Sequence, residues 1–148
     1  MKPSQNCIDL IKQFEGLSLK AYLCPAGIPT IGYGSTRWPD GKKIDLGQQV
    51  TMDVADQMLR HEADKIADRI PANMFNQNQF DAIVSFTYNV GIGNLLSSTL
   101  YRYAKANADD VKIRDQFMRW TKARVGGKMM ELRGLVRRRQ AEADLYFK

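Results

Sequence analysis

Histidine and cysteine are scarce in this chain: among 148 residues there is one histidine, His61, and two cysteines, Cys7 and Cys24. Two thiols cannot build a disulfide framework, and neither they nor the lone histidine have the spacing of a zinc site. They suit synthesis in a reducing cytoplasm, and no metal and no cofactor are expected. No apolar run approaches the roughly 20 residues needed to span a bilayer. The opening MKPSQNCIDLIKQF lacks the continuous apolar stretch of a signal peptide, so neither export nor membrane insertion is expected. Repeats, low-complexity runs and Ser/Gly/Pro-rich tracts are absent as well, which leaves nothing to act as a linker.

What remains is an ordinary globular balance, 44% hydrophobic and 26% charged residues. The length suits one domain, or two small lobes sharing one chain. Charge is unevenly placed. Residues 112–148 hold 11 Lys/Arg against 4 Asp/Glu, so that segment is at +7 while the whole chain is at +6. Such a face attracts polyanions, and it is also what a solvated basic helix looks like.

Along the chain, Ser4 can cap a helix over 4–15, with Cys7, Leu10, Ile11 and Phe14 on one stripe. Gly16 stops it, which puts Glu15 at its C-terminal end. Residues 17–46 turn to β-branched and aromatic residues broken by Pro and Gly, the pattern of short strands and tight turns. Thr51 caps a second helix to about Arg69, with Asp56 and Arg60 paired on its outside. Beyond Pro71 the pattern reads as helices near 76–90, 97–107, 109–123 and 130–146. The whole is an α+β chain of three parts: a mixed lobe at 1–50, a connecting helix at 51–70 and a helical lobe at 71–148. A groove between such lobes suits a long polymer.

Three side chains with useful chemistry follow one another as E-x8-C-x5-T: Glu15, Cys24 and Thr30. Glycoside hydrolysis needs a carboxylic acid to protonate the leaving oxygen and a second group to activate or hold a water, or to attack directly. Glu15 fits the first role, with Phe14, Leu17 and Tyr22 as apolar neighbours. A hydroxyl such as that of Thr30 can position a water.

The surrounding segments extend the pattern. FEGLSLKAY at 14–22 followed by CPAGIPTIGYGST at 24–36 resembles the active-site segment of the phage lysozyme (endolysin) family. FTYNVGIGN at 86–94, SSTL at 97–100, MRW at 118–120 and GGKMMELRGLVRRR at 126–139 resemble its helical lobe, in the same order. The resemblance implies a lysozyme-like fold: a small lobe with a short β-sheet, a long connecting helix, and an active-site groove facing a helical lobe. It implies hydrolysis of the β-1,4 bond between N-acetylmuramic acid and N-acetylglucosamine in the glycan strands of peptidoglycan. Glu15 falls on the family's general acid and Thr30 on its water-positioning threonine. Cys24 stands where many members carry aspartate, although some carry cysteine. A thiol of ordinary pKa, about 8.5, is a poor base near neutrality, whereas a thiolate is a strong nucleophile. Cys24 is therefore open as base, as nucleophile or as bystander.

Arg133 falls on an arginine that approaches the catalytic glutamate from the helical lobe, where it would hold Glu15 in place. The run Arg137, Arg138 and Arg139 reads as a solvated basic face. Gly32 and Gly34 relieve crowding where the chain passes the sugar, and Tyr88 and Asn89 line the groove. Ser35 replaces the histidine that the family often has after the GYG turn, altering a local brace. Related exported endolysins can cage their catalytic cysteine in a disulfide. Here Cys7 and Glu15 are eight helical residues apart, about 12 Å along the axis. A disulfide needs Cα atoms within about 7 Å, so Cys7 is expected in the core. A monomer is expected, accumulating in the host cytoplasm and reaching the wall through a separate holin-type pore, with no specific nucleic-acid partner. The competing expectation is a non-catalytic basic module on the same fold, binding peptidoglycan or nucleic acid.

Overall fold

The computed structural model describes residues 1–148. Its first helix, α1 (Gln5–Glu15), buries Cys7, Ile8 and Ile11 and ends at Gly16, whose φ of 68° only glycine adopts freely. Ser4 occupies the N-cap position without capping through its side chain. Its hydroxyl instead donates to the carboxylate of Asp81, as does its backbone N–H at 3.0 Å. Asp81 is fully buried, so these bonds satisfy a charge that water cannot reach and pin the start of α1 to the central helix.

Strands β1 (Ser18–Leu23) and β2 (Pro29–Gly32) form an antiparallel hairpin in which Tyr22 faces Thr30 and Leu23 faces Pro29. The turn between them closes through the Gly27 N–H to the Cys24 carbonyl at 2.8 Å, with Gly27 at φ 77°. Helix α2 (Met52–Ala67) begins where the Thr51 hydroxyl accepts the Val54 N–H. Asp56 binds Arg60 on the same helix at 2.7 Å, as the spacing predicts, and also reaches Lys12 on α1 at 2.5 Å. Ile31, Ile44 and Met58 form the small core of this lobe.

After a short 3-10 turn at Ala72–Met74, Asn76 and Gln79 close a capping box that starts α3 (Gln77–Val90). Nine consecutive residues of α3, Gln79 to Thr87, are buried. A helix buried on every side is the axis about which others pack, and α1, α2, α4 (Ile92–Ser97) and α7 (Arg133–Tyr146) all lie against it.

The helical lobe departs from the periodicity at α4, which lies outside every expected helix except at Ser97, and in three further places. The helix expected over 97–107 is broken at Ser98, which is extended and whose side chain caps α5 (Thr99–Ala106) by accepting the Tyr101 N–H. The helix expected over 109–123 shrinks to α6 (Ile113–Phe117), because Asn107 and Asp110 side chains accept backbone N–H groups of Asp109 and Lys112 and hold turns instead. The third departure is a hairpin: β3 (Lys122–Val125) and β4 (Lys128–Glu131) pair antiparallel around Gly126 and Gly127, which take φ 57° and 82°. Two successive positive-φ residues make a tight hairpin turn, so α7 starts only at Arg133. No helix is long and apolar enough to cross a membrane.

Phe86 shows how the core holds α7 in register. It is fully buried, with Phe117 and Trp120 edge-on at 5.6 and 5.5 Å and the Arg139 guanidinium 5.0 Å from its ring centre. Phe86→Ala is expected to cost about 3–5 kcal/mol in urea unfolding with an unchanged denaturant slope. A loss below about 1 kcal/mol would contradict this packing.

Candidate active site

The carboxylate of Glu15 projects from the last residue of α1, its side chain 19% exposed, and is gripped from across the molecule by α7. Arg138 Nη1 donates to Glu15 Oε1 at 2.5 Å. The same guanidinium gives Nη2 to the Ser85 carbonyl at 3.0 Å and Nε to Glu142 Oε2 at 3.2 Å. Glu142 is fully buried and also accepts Arg139 Nη1 at 2.5 Å and the Ser85 hydroxyl at 2.6 Å. Arg139 reaches onward, with Nε to the Trp120 carbonyl and Nη2 to the Asn89 side-chain oxygen. Burial pushes the Arg139 guanidinium down from its ordinary range, and Glu142 works against that shift.

These contacts revise two expectations. Arg133 is exposed at the first position of α7, while Arg138, five residues on and about 140° further round the helix, faces Glu15. The run 137–139 is not a solvated face either: Arg138 and Arg139 are 2% and 1% exposed. Their buried partner had a sequence signal. Glu142 stands four residues after Arg138 and three after Arg139, the two spacings that bring side chains together on a helix.

Glu15, Arg138 and Asn89 share the wall of a cleft of about 430 Å³ with Gln13, Phe14, Leu132, Gly134, Leu135 and Arg137. The opposite oxygen of Glu15 lies over Gly34, where a Cβ would come within 3.1 Å of Oε2. Gly34, at φ 90°, therefore combines a conformation and a clearance that no other residue supplies. Gly32 serves differently, since its missing Cβ would meet Ala55 at 3.4 Å and so faces α2. Leu17 and Tyr22 are 39% and 42% exposed.

Cys24 and Thr30 meet at the tip of the β1–β2 hairpin, whose second strand leads into the turn beneath Glu15. The Thr30 hydroxyl is buried, donates to the Ile28 carbonyl at 2.9 Å and lies beside the Cys24 sulfur. The backbone of Ile28 and Ala26 holds the Cys24 thiol below its ordinary pKa. Cys7 is the opposite case, a free thiol in the core that burial, reinforced by Asp81 and Glu142, drives far upward.

Tyr88 is half-buried, and its hydroxyl donates to the Tyr33 carbonyl at 2.8 Å. That bond turns it into a brace for the GYG turn, while Asn89 presents its amide to the cleft. Ser35 is buried beside Tyr88 and Glu62, whose carboxyl burial shifts upward. No cluster of three His, Cys, Asp or Glu side chains is placed to hold a metal.

Known proteins are similar to this chain in sequence and fold. The family model for phage lysozyme matches residues 12–142. An endolysin of Acyrthosiphon pisum secondary endosymbiont phage 1 is 38% identical over 150 aligned positions, covering 99% of this chain and 98% of that protein. The endolysin of Bacillus phage B103 is 39% identical across 99% of this chain, which spans only 54% of that longer protein. Among solved structures, the endolysin from Escherichia coli O157:H7 phage FAHEc1 superposes with a TM-score of 0.87 at 40% identity, covering 99% of this chain and 93% of that one.

The two thiols give a direct check on the local electrostatics. With iodoacetamide, Cys24 is expected to alkylate in the folded protein with a midpoint below that of a free cysteine, and Cys7 only after unfolding. Equal reactivity of the two thiols in the native state would contradict the geometry described.

Proposed function

We propose, for a chain that belongs to the phage lysozyme family and is a glycoside hydrolase of the lysozyme type, that Glu15 is its general acid and that Cys24 and Thr30 activate and position the attacking water. The observation that carries this reading is the Glu15 carboxylate, held by Arg138 at 2.5 Å on the wall of an open cleft. The substrate is the peptidoglycan glycan strand, cut between N-acetylmuramic acid and N-acetylglucosamine, and the role is that of an endolysin in host cell lysis.

In the reaction Glu15 gives its proton to the glycosidic oxygen as the bond from that oxygen to the anomeric carbon breaks. Negative charge then develops on the Glu15 carboxylate, and Arg138 is already in place to meet it, with no reorganisation needed at that moment. A water held by Thr30 attacks the anomeric carbon and passes its proton to the Cys24 thiolate. Solvent exchange returns a proton to Glu15 and removes one from Cys24, which closes the cycle. Asn89 offers an amide to the sugar substituents. Gly34 keeps the space beneath Glu15 open, and Gly32, Tyr88 and Ser35 shape the turn that does so.

The mixed lobe, connecting helix and helical lobe work as one catalytic domain. The protein acts as a monomer, accumulates in the host cytoplasm and reaches the wall through a separate holin-type pore. Family membership supports the action on the wall in this part of the reading.

Glu15→Gln is expected to lower the release of reducing ends from purified peptidoglycan by about a thousandfold while thermal unfolding stays near that of the parent. Full activity would overturn the acid assignment, and binding without any new reducing ends in the parent protein would point to the non-catalytic module. In the same assay, Cys24→Asp is expected to retain activity and Cys24→Ser to lose most of it. Serine at the full rate would make the thiol a bystander.

A further inference from the structure

We infer that Glu142 is a positioning residue for the hydrolysis: through Arg138 it sets the Glu15 carboxyl, and through Arg139 it sets the Asn89 amide, on the wall of the cleft. The inference rests on the reading of Glu15 as the acid. Glu142 touches no substrate and is fully buried, yet both guanidiniums that it holds end at cleft groups. Its two oxygens are divided between them: Oε1 takes Arg139, while Oε2 takes Arg138 and the Ser85 hydroxyl.

Three observations separate this from ordinary core packing. Packing needs no charge here, because burying ions costs desolvation that an apolar side chain of similar size avoids. The chain nevertheless withdraws two cations and one carboxylate from water together. The ion cluster is also extended towards the cleft: two successive arginines diverge from one carboxylate, one to α1 and one to the end of α3. Finally, no other acid takes the place of Glu142. The titratable and charged groups around it are Cys7 and Glu15 from α1, Asp81 from α3, and Arg138 and Arg139 from α7. Burial keeps the Cys7 thiol neutral, and Asp81 is engaged with Ser4 and Gln77. Arg138 is thus one cation divided between two carboxylates, Glu15 at 2.5 Å and Glu142 at 3.2 Å. Glu142 therefore shares with Glu15 the guanidinium that aims the acid.

The test is kcat and KM for reducing-end release from purified peptidoglycan as a function of pH, on two full-length variants. Glu142→Asp keeps the charge balance and draws the carboxylate back by about 1.5 Å, one carbon–carbon bond. It is expected to fold and to lose about tenfold in kcat, since a misplacement of this size is felt at the reacting atoms. The double variant R139Q/E142Q removes one cation with one anion and leaves Glu15 as the only carboxylate on Arg138. The limb of kcat/KM that Glu15 sets is expected about one pH unit lower, a shift that packing alone would not produce. Wild-type kcat in folded Glu142→Asp, or an unmoved limb in the double variant, would overturn the inference whatever the melting temperatures. An active Glu15→Gln would instead remove the reading beneath it.

Discussion

Two guanidiniums and one carboxylate, all withdrawn from water, meet where α7 lies against α3, and the cleft depends on how that cluster is satisfied. Glu142 cannot leave its site without stranding Arg138 and Arg139, a loss of roughly 3–5 kcal/mol for a broken buried ion pair. Each guanidinium nitrogen of the two arginines that is not spent on Glu142 finds another acceptor. Those acceptors are the Ser85 and Trp120 carbonyls, the Asn89 amide and the Glu15 carboxylate. The requirement to satisfy buried cations therefore fixes α1, α3 and α7 relative to one another and brings the candidate acid to the cleft wall.

The small lobe supplies the other side of the chemistry by different means. There the constraint is backbone clearance: Gly34 lacks the Cβ that would stand 3.1 Å from Glu15 Oε2, and a turn closed at Gly27 sets the backbone of Ala26 and Ile28 beside the Cys24 thiol. A thiol in that turn gains anionic character from hydrogen-bond donors without any cation beside it. A carboxylate at this position would be anionic at neutral pH without such help. The two halves thus treat charge oppositely, with one neutralising it by pairing in the core and the other stabilising it with dipoles at the surface.

Much of this was legible in the chain itself. The stripe Cys7, Ile11 and Phe14 ending at Gly16 predicts both α1 and the terminal position of Glu15, and the Pro/Gly punctuation of 17–46 predicts a hairpin-bearing lobe. The second hairpin was hidden because Lys128, Met129 and Met130 are good helix formers, and only the paired glycines 126 and 127 spoke against a helix. Arg138 was hidden for a related reason. Three arginines in a row look like a solvated face, and only tertiary packing reveals which side of α7 meets α3. The Glu142 spacing held that information, but it gains meaning once the helix is known to be buried on the same side as Ala143 and Tyr146.

Arg138, and not the exposed Arg133, holds the Glu15 carboxylate. Steady-state kinetics of Arg138→Gln beside Arg133→Gln on purified peptidoglycan test it most directly. Arg138→Gln is expected to lose about a hundredfold in kcat while remaining folded, and Arg133→Gln to turn over at the parent rate. Parent activity in Arg138→Gln, or an equal loss in Arg133→Gln, would contradict it.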